Sequence, residues 1–249
     1  MKVIGVIPAR MGSSRFPGKP LARILGFSMI EHVYRRSAMS KTLDKVYIAT
    51  CDQEIADAVV GFGGEAIMTS ADHERCTDRI AEATRTMDVD IVVNIQGDEP
   101  MVFPAMIDEA VAPLMGDSKL VCSNLMASLR SREEHEDHNA VKVVFDRNYN
   151  ALYFSREPIP WRKKDAKNVP MYKQVPIIAF RGDFLQTFIE LEPTPLEIIE
   201  SVDMLRAVEH GYQVRMVLTD KLTYGVDNQR DLERVTKLME EDSLIDAYR

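Results

Sequence analysis

The sequence predicts an α/β fold, a three-layer sandwich with a mostly parallel sheet. Two observations lead there. Strand-like apolar runs alternate with helix-like stripes through the first hundred residues, and the run Asp90-Ile91-Val92-Val93-Asn94-Ile95 is almost unbroken apolar, as a strand covered on both faces requires. Strands joined by helices of this length imply right-handed βαβ units, with ligand expected at the carboxyl ends of the strands.

The elements follow in order. Residues 2–7 read as a first buried strand, and residues 29–36 as a helix with an apolar stripe. Residues 45–50 form a β-rich run ending at a Cys51-Asp52 turn, and residues 53–62 form a helix stopped by Gly63-Gly64. Residues 77–87 are expected to be helical with Thr77 as N-cap, leading into the strand 90–95. Residues 140–145 and 151–155 read as strands of a hairpin around Asp146-Arg147-Asn148. Residues 158–176 carry four prolines and several lysines and are expected to be a mobile excursion. A helix over 195–209, a strand over 214–218 and an amphipathic helix over 231–241 complete the chain, with no internal repeat.

Composition narrows the function. A chain of 249 residues can bury a large core, as one α/β domain or one domain with an insertion. The net charge of −8 argues against a nucleic-acid partner. Three cysteines make neither a disulfide framework nor a zinc pattern, which favours a reducing compartment; Cys51 and Cys122 read as small buried hydrophobes. No apolar run reaches the roughly 18–20 residues a bilayer span needs. The expectation is a soluble, cytoplasmic protein without a membrane partner.

The first strand opens into Ile7-Pro8-Ala9-Arg10-Met11-Gly12-Ser13-Ser14-Arg15-Phe16-Pro17-Gly18-Lys19-Pro20. Small residues let backbone N–H groups approach an anion, and Arg10, Arg15 and Lys19 can neutralise it, so the loop suits phosphate. It matches neither common glycine-rich phosphate motif, and a solvated surface loop is the alternative. The strand 90–95 ends in Gln96-Gly97-Asp98-Glu99-Pro100, where Asp98 could hold a divalent metal or merely cap a corner. Asp227, in Gly225-Val226-Asp227, could supply a second carboxylate or be an N-cap or turn residue. Arg79 falls near the start of the helix that Thr77 opens. A cation is unfavourable to the dipole there, so it is expected to face an anion rather than solvent. His73, His135 and His138 lack metal spacing and read as surface or loop residues, and no serine or cysteine nucleophile with a base is visible. Phosphate-binding cations with a metal carboxylate and no covalent nucleophile indicate direct displacement at phosphorus.

The chain resembles the 3-deoxy-manno-octulosonate cytidylyltransferases, also called CMP-KDO synthetases. The matching motifs are Ile7-Pro8-Ala9-Arg10 with Ser14-Arg15-Phe16-Pro17-Gly18-Lys19-Pro20-Leu21, Asn94 through Pro100, Asn139 through Val144, Ala151 through Trp161, and Gly225-Val226-Asp227 ahead of Asp231-Leu232-Glu233-Arg234-Val235. The resemblance implies a nucleotide-diphospho-sugar-transferase-like fold, a homodimer, and transfer of CMP from CTP to the anomeric hydroxyl of a sugar acid with release of pyrophosphate. It implies Arg10, Arg15 and Lys19 as the triphosphate grip, with Ala9, Gly12, Ser13, Asp72 and Thr77 also on CTP. It implies Mg²⁺ on Asp98 and Asp227, and Arg10, Lys19, Asp98 and Asp227 as the catalytic set. Acceptor binding falls to Arg79, Gln96, Gln174, Ile178 and Glu200, Arg79 suiting the carboxylate by bidentate geometry. The single domain then divides roughly into a nucleotide-binding half (1–125), an acceptor and dimerisation region (126–210) and a C-terminal return to the sheet (211–249).

The chain departs from the family pattern at three places. Arg75-Cys76 stands where the family usually has Ser-Gly, in a loop expected to line the base pocket. The strand Lys173 through Arg181 lacks the family's histidine and tyrosines, and Ile198 replaces a histidine near Glu200. Such losses can redirect acceptor choice, since a site built for hydroxyls rejects analogues lacking them by about 10⁴-fold or more. The alternatives are therefore a modified octulosonate or a small phosphonate as acceptor. Further off lie a glycosyltransferase-like enzyme, which would normally show Asp-x-Asp, and a non-catalytic nucleotide-binding homologue.

Overall fold

In the computed structural model, which describes residues 1–12, 16–162 and 169–249, the chain begins with β1 (Val3–Ala9), buried at all seven positions. There follow β2 (Arg23–Ile24), β3 (Phe27–Ser28), α1 (Met29–Ser37), β4 (Lys45–Thr50), α2 (Gln53–Gly61), β5 (Ala66–Met68), α3 (Cys76–Thr84) and β6 (Ile91–Ile95). Next come α4 (Pro104–Gly116), β7 (Cys122–Ser128), α5 (Arg132–Glu136), β8 (Lys142–Phe145), β9 (Ala151–Ser155) and β10 (Tyr172–Arg181). The chain closes with α6 (Gly182–Glu190), α7 (Pro195–Glu200), α8 (Met204–Glu209), β11 (Val214–Thr219) and α9 (Gln229–Glu240). The result is the expected α/β fold with a mixed, mostly parallel sheet. It divides into two compact units, residues 1–108 with 222–249, and residues 109–221.

In the first unit the strand order is β6-β1-β4-β5, all parallel, with Val6 beside Asn94 on one side and Tyr47 on the other. The unbroken apolar runs of β1 and β6 have a direct cause, since both strands are buried at every position. Ser28 caps α1 by accepting from the Glu31 N–H at 3.3 Å. Gly63, at φ +81°, ends α2 in the left-handed region glycine tolerates. The 222–249 segment adds a satellite core in which Val226, Val235, Met239 and Ile245 pack with Ile24, Met29 and Met101.

The second unit contains β11-β7 in parallel, with β10 antiparallel to β7 and the β8–β9 hairpin antiparallel to β10. Glu197 and Arg206 form a buried pair with both guanidinium contacts, at 2.8 and 2.7 Å, which locks α7 to α8. Buried Lys142 donates to the carbonyls of Asp137 (2.9 Å) and Arg156, and burial lowers its pKa.

Several expectations are corrected. The helix expected over 77–87 is Cys76–Thr84, and its cap position is Arg75, so Thr77 is an interior residue, 2 % exposed. The helix expected over 195–209 is two helices, because Ser201 adopts φ +53° and breaks the run. The excursion expected over 158–176 gives way to β10 from Tyr172 onward. Pro176 fits there because the register with β7 shifts between Gln174 and Ile178, where no ladder N–H is needed. Residues 163–168 of that segment lie outside the described residues. His135 is not a surface residue: it is 7 % exposed and its Nε2 lies 3.2 Å from the Ile159 carbonyl. Cys122 is buried as expected and its thiol is pushed up to about 12, whereas Cys51 is only half-buried.

Candidate active site

The carboxyl ends of neighbouring strands β1 and β6 open onto a cavity of about 270 Å³, lined among others by Ala9, Arg10, Gly12, Lys19, Gln96 and Asp98. Local structure sets each of these. The Met11 N–H donates to Asp52 Oδ2 at 2.7 Å, tying the start of the loop to the first turn of α2, and the Gly18 N–H returns to the Met11 carbonyl at 3.2 Å. Gly18 at φ +71° then opens a short 3₁₀ turn whose first residue is Lys19. Gly97 has to be glycine: a Cβ there would lie 2.8 Å from the Pro8 carbonyl oxygen, a backbone atom that cannot swing away.

Lys19 is the hub. Its Nζ donates to Asp98 Oδ2 at 2.7 Å and to the Val226 carbonyl at 2.9 Å, and lies 3.7 Å from Asp227 Oδ1. The two carboxylates, 129 positions apart in sequence (227 − 98), thus converge on one ammonium. Asp98 caps no helix, and the cap of α9 is Asn228, which accepts from the Arg230 and Asp231 N–H groups. Asp227 is therefore not the N-cap of that helix. No group of three or more His, Cys, Asp or Glu side chains suited to a metal occurs among the described residues. Two carboxylates with oxygen donors only nevertheless fit Mg²⁺, which takes one or two protein carboxylates and completes its shell with phosphate oxygens and water.

Arg79 is 3 % exposed. Its Nη1 donates to Thr69 Oγ1 (2.5 Å) and the Ser70 carbonyl (3.1 Å), while Nη2 has no hydrogen-bond partner. It lines a second cavity, of about 50 Å³, with Pro8, Arg10, His73, Arg75 and Cys76. His73 pairs with Glu82, whose carboxyl is held below its usual range chiefly by the Ser70 N–H and further by His73. Gln96 donates to Asn94 Oδ1 at 3.2 Å and accepts from the Cys76 thiol at 3.7 Å.

The structure therefore brings Ala9, Arg10, Gly12, Lys19, Gln96 and Asp98 to one cavity, with Asp227 joined through Lys19 and Arg79 on the smaller cavity. Asp72 and Thr77 line neither cavity. Asp72 is engaged in a local turn with Ser70. Ser13 and Arg15 lie outside the described residues. In the second unit, Gln174 Nε2 donates to Asn124 Oδ1 at 2.6 Å, Ile178 is 6 % exposed, and Glu200 accepts from Ser155 Oγ (2.6 Å), the Arg156 N–H (2.7 Å) and Tyr153 Oη (3.1 Å). Sequence reasoning missed the Val226 carbonyl, a main-chain group that no residue type announces, and the place of Cys76 on both cavities.

A parallel α/β unit that sets a lysine and two converging carboxylates beyond the carboxyl ends of its strands has the parts a nucleotidyltransferase needs. Comparison with known proteins narrows this class. The cytidylyltransferase family model matches residues 4–222, and the chain belongs to that family. It is 48 % identical over 243 residues to the 3-deoxy-manno-octulosonate cytidylyltransferase of Syntrophotalea carbinolica, covering 94 % of this chain and 97 % of the relative. It is also 48 % identical to the protein of the same name from Syntrophobacter fumaroxidans, covering 98 % and 99 %. Among solved structures, a CMP:2-keto-3-deoxy-manno-octonic acid synthetase complexed with CTP superimposes with a TM-score of 0.92 at 40 % identity, covering 97 % of this chain and 99 % of that one. The 4-diphosphocytidyl-2C-methyl-D-erythritol synthase of Anaerococcus prevotii, at 14 % identity over 96 % of this chain and 99 % of that one, shares the fold alone, with a TM-score of 0.65.

Proposed function

We propose that this protein transfers the cytidylyl group of CTP to the anomeric hydroxyl of 3-deoxy-manno-octulosonate, releasing pyrophosphate. The observation that carries this reading is 48 % identity, across nearly the whole chain, to relatives bearing that activity in their names. The site geometry fits the chemistry. The acceptor oxygen forms a bond to the α-phosphorus while the bond from that phosphorus to the bridging oxygen breaks, and the developing charge leaves on pyrophosphate. Arg10 and Lys19 neutralise the triphosphate, and Gly12 and the main chain of Ala9 let it approach closely. Asp98 and Asp227 would hold Mg²⁺, which supplies charge neutralisation and orientation of the phosphates when bound. Arg79 and Gln96 are assigned to the acceptor's polar groups.

The exposure of Leu152 (59 %), Trp161 (83 %), Ile198 (61 %) and Ile199 (77 %) in the second unit supports a homodimer, since large apolar groups left in water favour association. No helix among the described residues is long and apolar enough to cross a membrane. The test is pyrophosphate release with Mg²⁺, each of the four nucleoside triphosphates, and a panel containing the octulosonate, its modified forms and small phosphonates. Release with CTP and the octulosonate supports the reading. Release only with another acid moves the acceptor assignment, and no release with any pair sinks it.

A further inference from the structure

Arg75-Cys76, the departure from the family's small pair, is the motif that the proposed reaction leaves without a role. Cys76 is exposed, and it is the first residue of the nine-residue helix α3, where the dipole favours a thiolate. It lines both the 270 Å³ cavity and the smaller one beside it. The smaller cavity is walled by Arg10, Arg75 and Arg79, against the single carboxylate of Glu74. Arg79, assigned above to the acceptor, also marks this cavity as one that can receive an anion: the residue is 3 % exposed and its Nη2 lacks a hydrogen-bond partner. A buried guanidinium nitrogen left unpaired is costly unless a ligand satisfies it. The other two thiols offer no such setting. Cys122 is buried with its thiol pushed up to about 12, and Cys51 is half-buried and lines neither cavity.

We infer that Cys76 is a site of reversible S-thiolation by small anionic disulfides, and that the adduct closes the cavity assigned to the nucleotide. The step is thiol–disulfide exchange. The Cys76 proton leaves to solvent, and its thiolate attacks one sulfur of the disulfide. A sulfur–sulfur bond forms to that sulfur while the disulfide's own bond breaks. The leaving thiolate then takes up a proton from water. Cys76 is oxidised and half of the disulfide is reduced, with no further co-reactant.

The blocking of CTP rests on the function proposed above, whereas the site of modification does not, and the experiment separates the two. The full-length protein is treated with glutathione disulfide, which is anionic, or with cystamine, which is cationic, and the adducts are mapped by mass spectrometry over time. Cys76 should be modified about tenfold faster or more than Cys51 or Cys122. Glutathione disulfide should outpace cystamine at low salt, with the difference shrinking as salt rises. CTP binding, followed by calorimetry, should be lost on modification and restored by dithiothreitol, and the Cys76→Ser variant should bind CTP equally before and after treatment. Equal modification of Cys51, faster reaction with cystamine, or undiminished CTP binding by the modified protein would each overturn the inference. Untreated protein that binds no CTP would instead overturn the nucleotide reading, leaving the mapped selectivity to judge this one.

Discussion

Asp98 and Glu200 are both partly accessible carboxylates with several polar neighbours, and the two units use them in opposite ways. Asp98 follows strand β6, faces an open cavity, and is engaged by a lysine that itself reaches two other groups. Glu200 ends α7 and spends both oxygens on Tyr153, Ser155 and the Arg156 N–H, joining that helix to β9. Burial opposes ionisation of Glu200, but these hydrogen bonds prevail and hold its pKa below the usual carboxylate value. A carboxylate saturated by its own fold is a strut, and one that shares an ammonium beside a cavity can exchange that partner for a ligand. On the proposed reaction, this criterion assigns Asp98 to the chemistry and Glu200 to the architecture.

Four substitutions would break or sharpen the contrast. Asp98→Asn should cost the most, lowering turnover on the order of 10⁴-fold, about 5 kcal/mol of barrier, while circular dichroism and the melting temperature stay near wild type. Near-normal turnover would show that the carboxylate is not part of the reaction. Arg206→Met strands the buried Glu197 charge in the second unit and should lower unfolding free energy by about 3–5 kcal/mol in urea titrations. At temperatures where the variant is folded, kcat should not change; an intact stability would mean the pair is dispensable. Lys19→Met should lower kcat/KM for CTP by about 10²-fold, the usual cost of removing one charge-stabilising donor. A loss confined to KM for the acceptor would detach Lys19 from the triphosphate.

Glu200→Gln should have the smallest effect, about 1–3 kcal/mol of stability from mismatched hydrogen bonds. Its pH dependence has a definite sign. The folded-state pKa of Glu200 is lowered, so below its unfolded value the unfolded chain binds more protons. The stabilisation is complete above that unfolded value and is lost as pH falls through the folded one. The variant should therefore show a flatter loss of stability on acidification. A rise in KM for the acceptor with unchanged melting would reassign Glu200 from strut to binding residue.

The parts of the fold that were legible have local signals. The unbroken apolar runs of β1 and β6, the glycine pair after α2 and the hairpin turn at Asp146 each depend on residues within a few positions. The misreadings have equally particular causes. Ser201 breaks a continuous helical pattern through one left-handed residue, and Pro176 sits in a strand because the pairing register shifts beside it. His135 is buried by a contact to the Ile159 carbonyl, 24 positions away, and nothing near it in sequence announces this.

By itself the sequence determined the α/β class, the cationic loop after β1 and Asp98 at the end of β6, since period, charge and strand ends are properties of neighbouring residues. Through its motifs it also determined the family. Only the tertiary structure decided that Asp98, Asp227 and the Val226 carbonyl meet at the Lys19 ammonium, that Arg79 is buried with an unpaired nitrogen, and that Cys76 stands on both cavities. Those facts depend on chain segments far apart in sequence being held together by packing, as the core around Val226 and Met29 does, and on what burial leaves unsatisfied. Neither quantity is a property of any local stretch of residues.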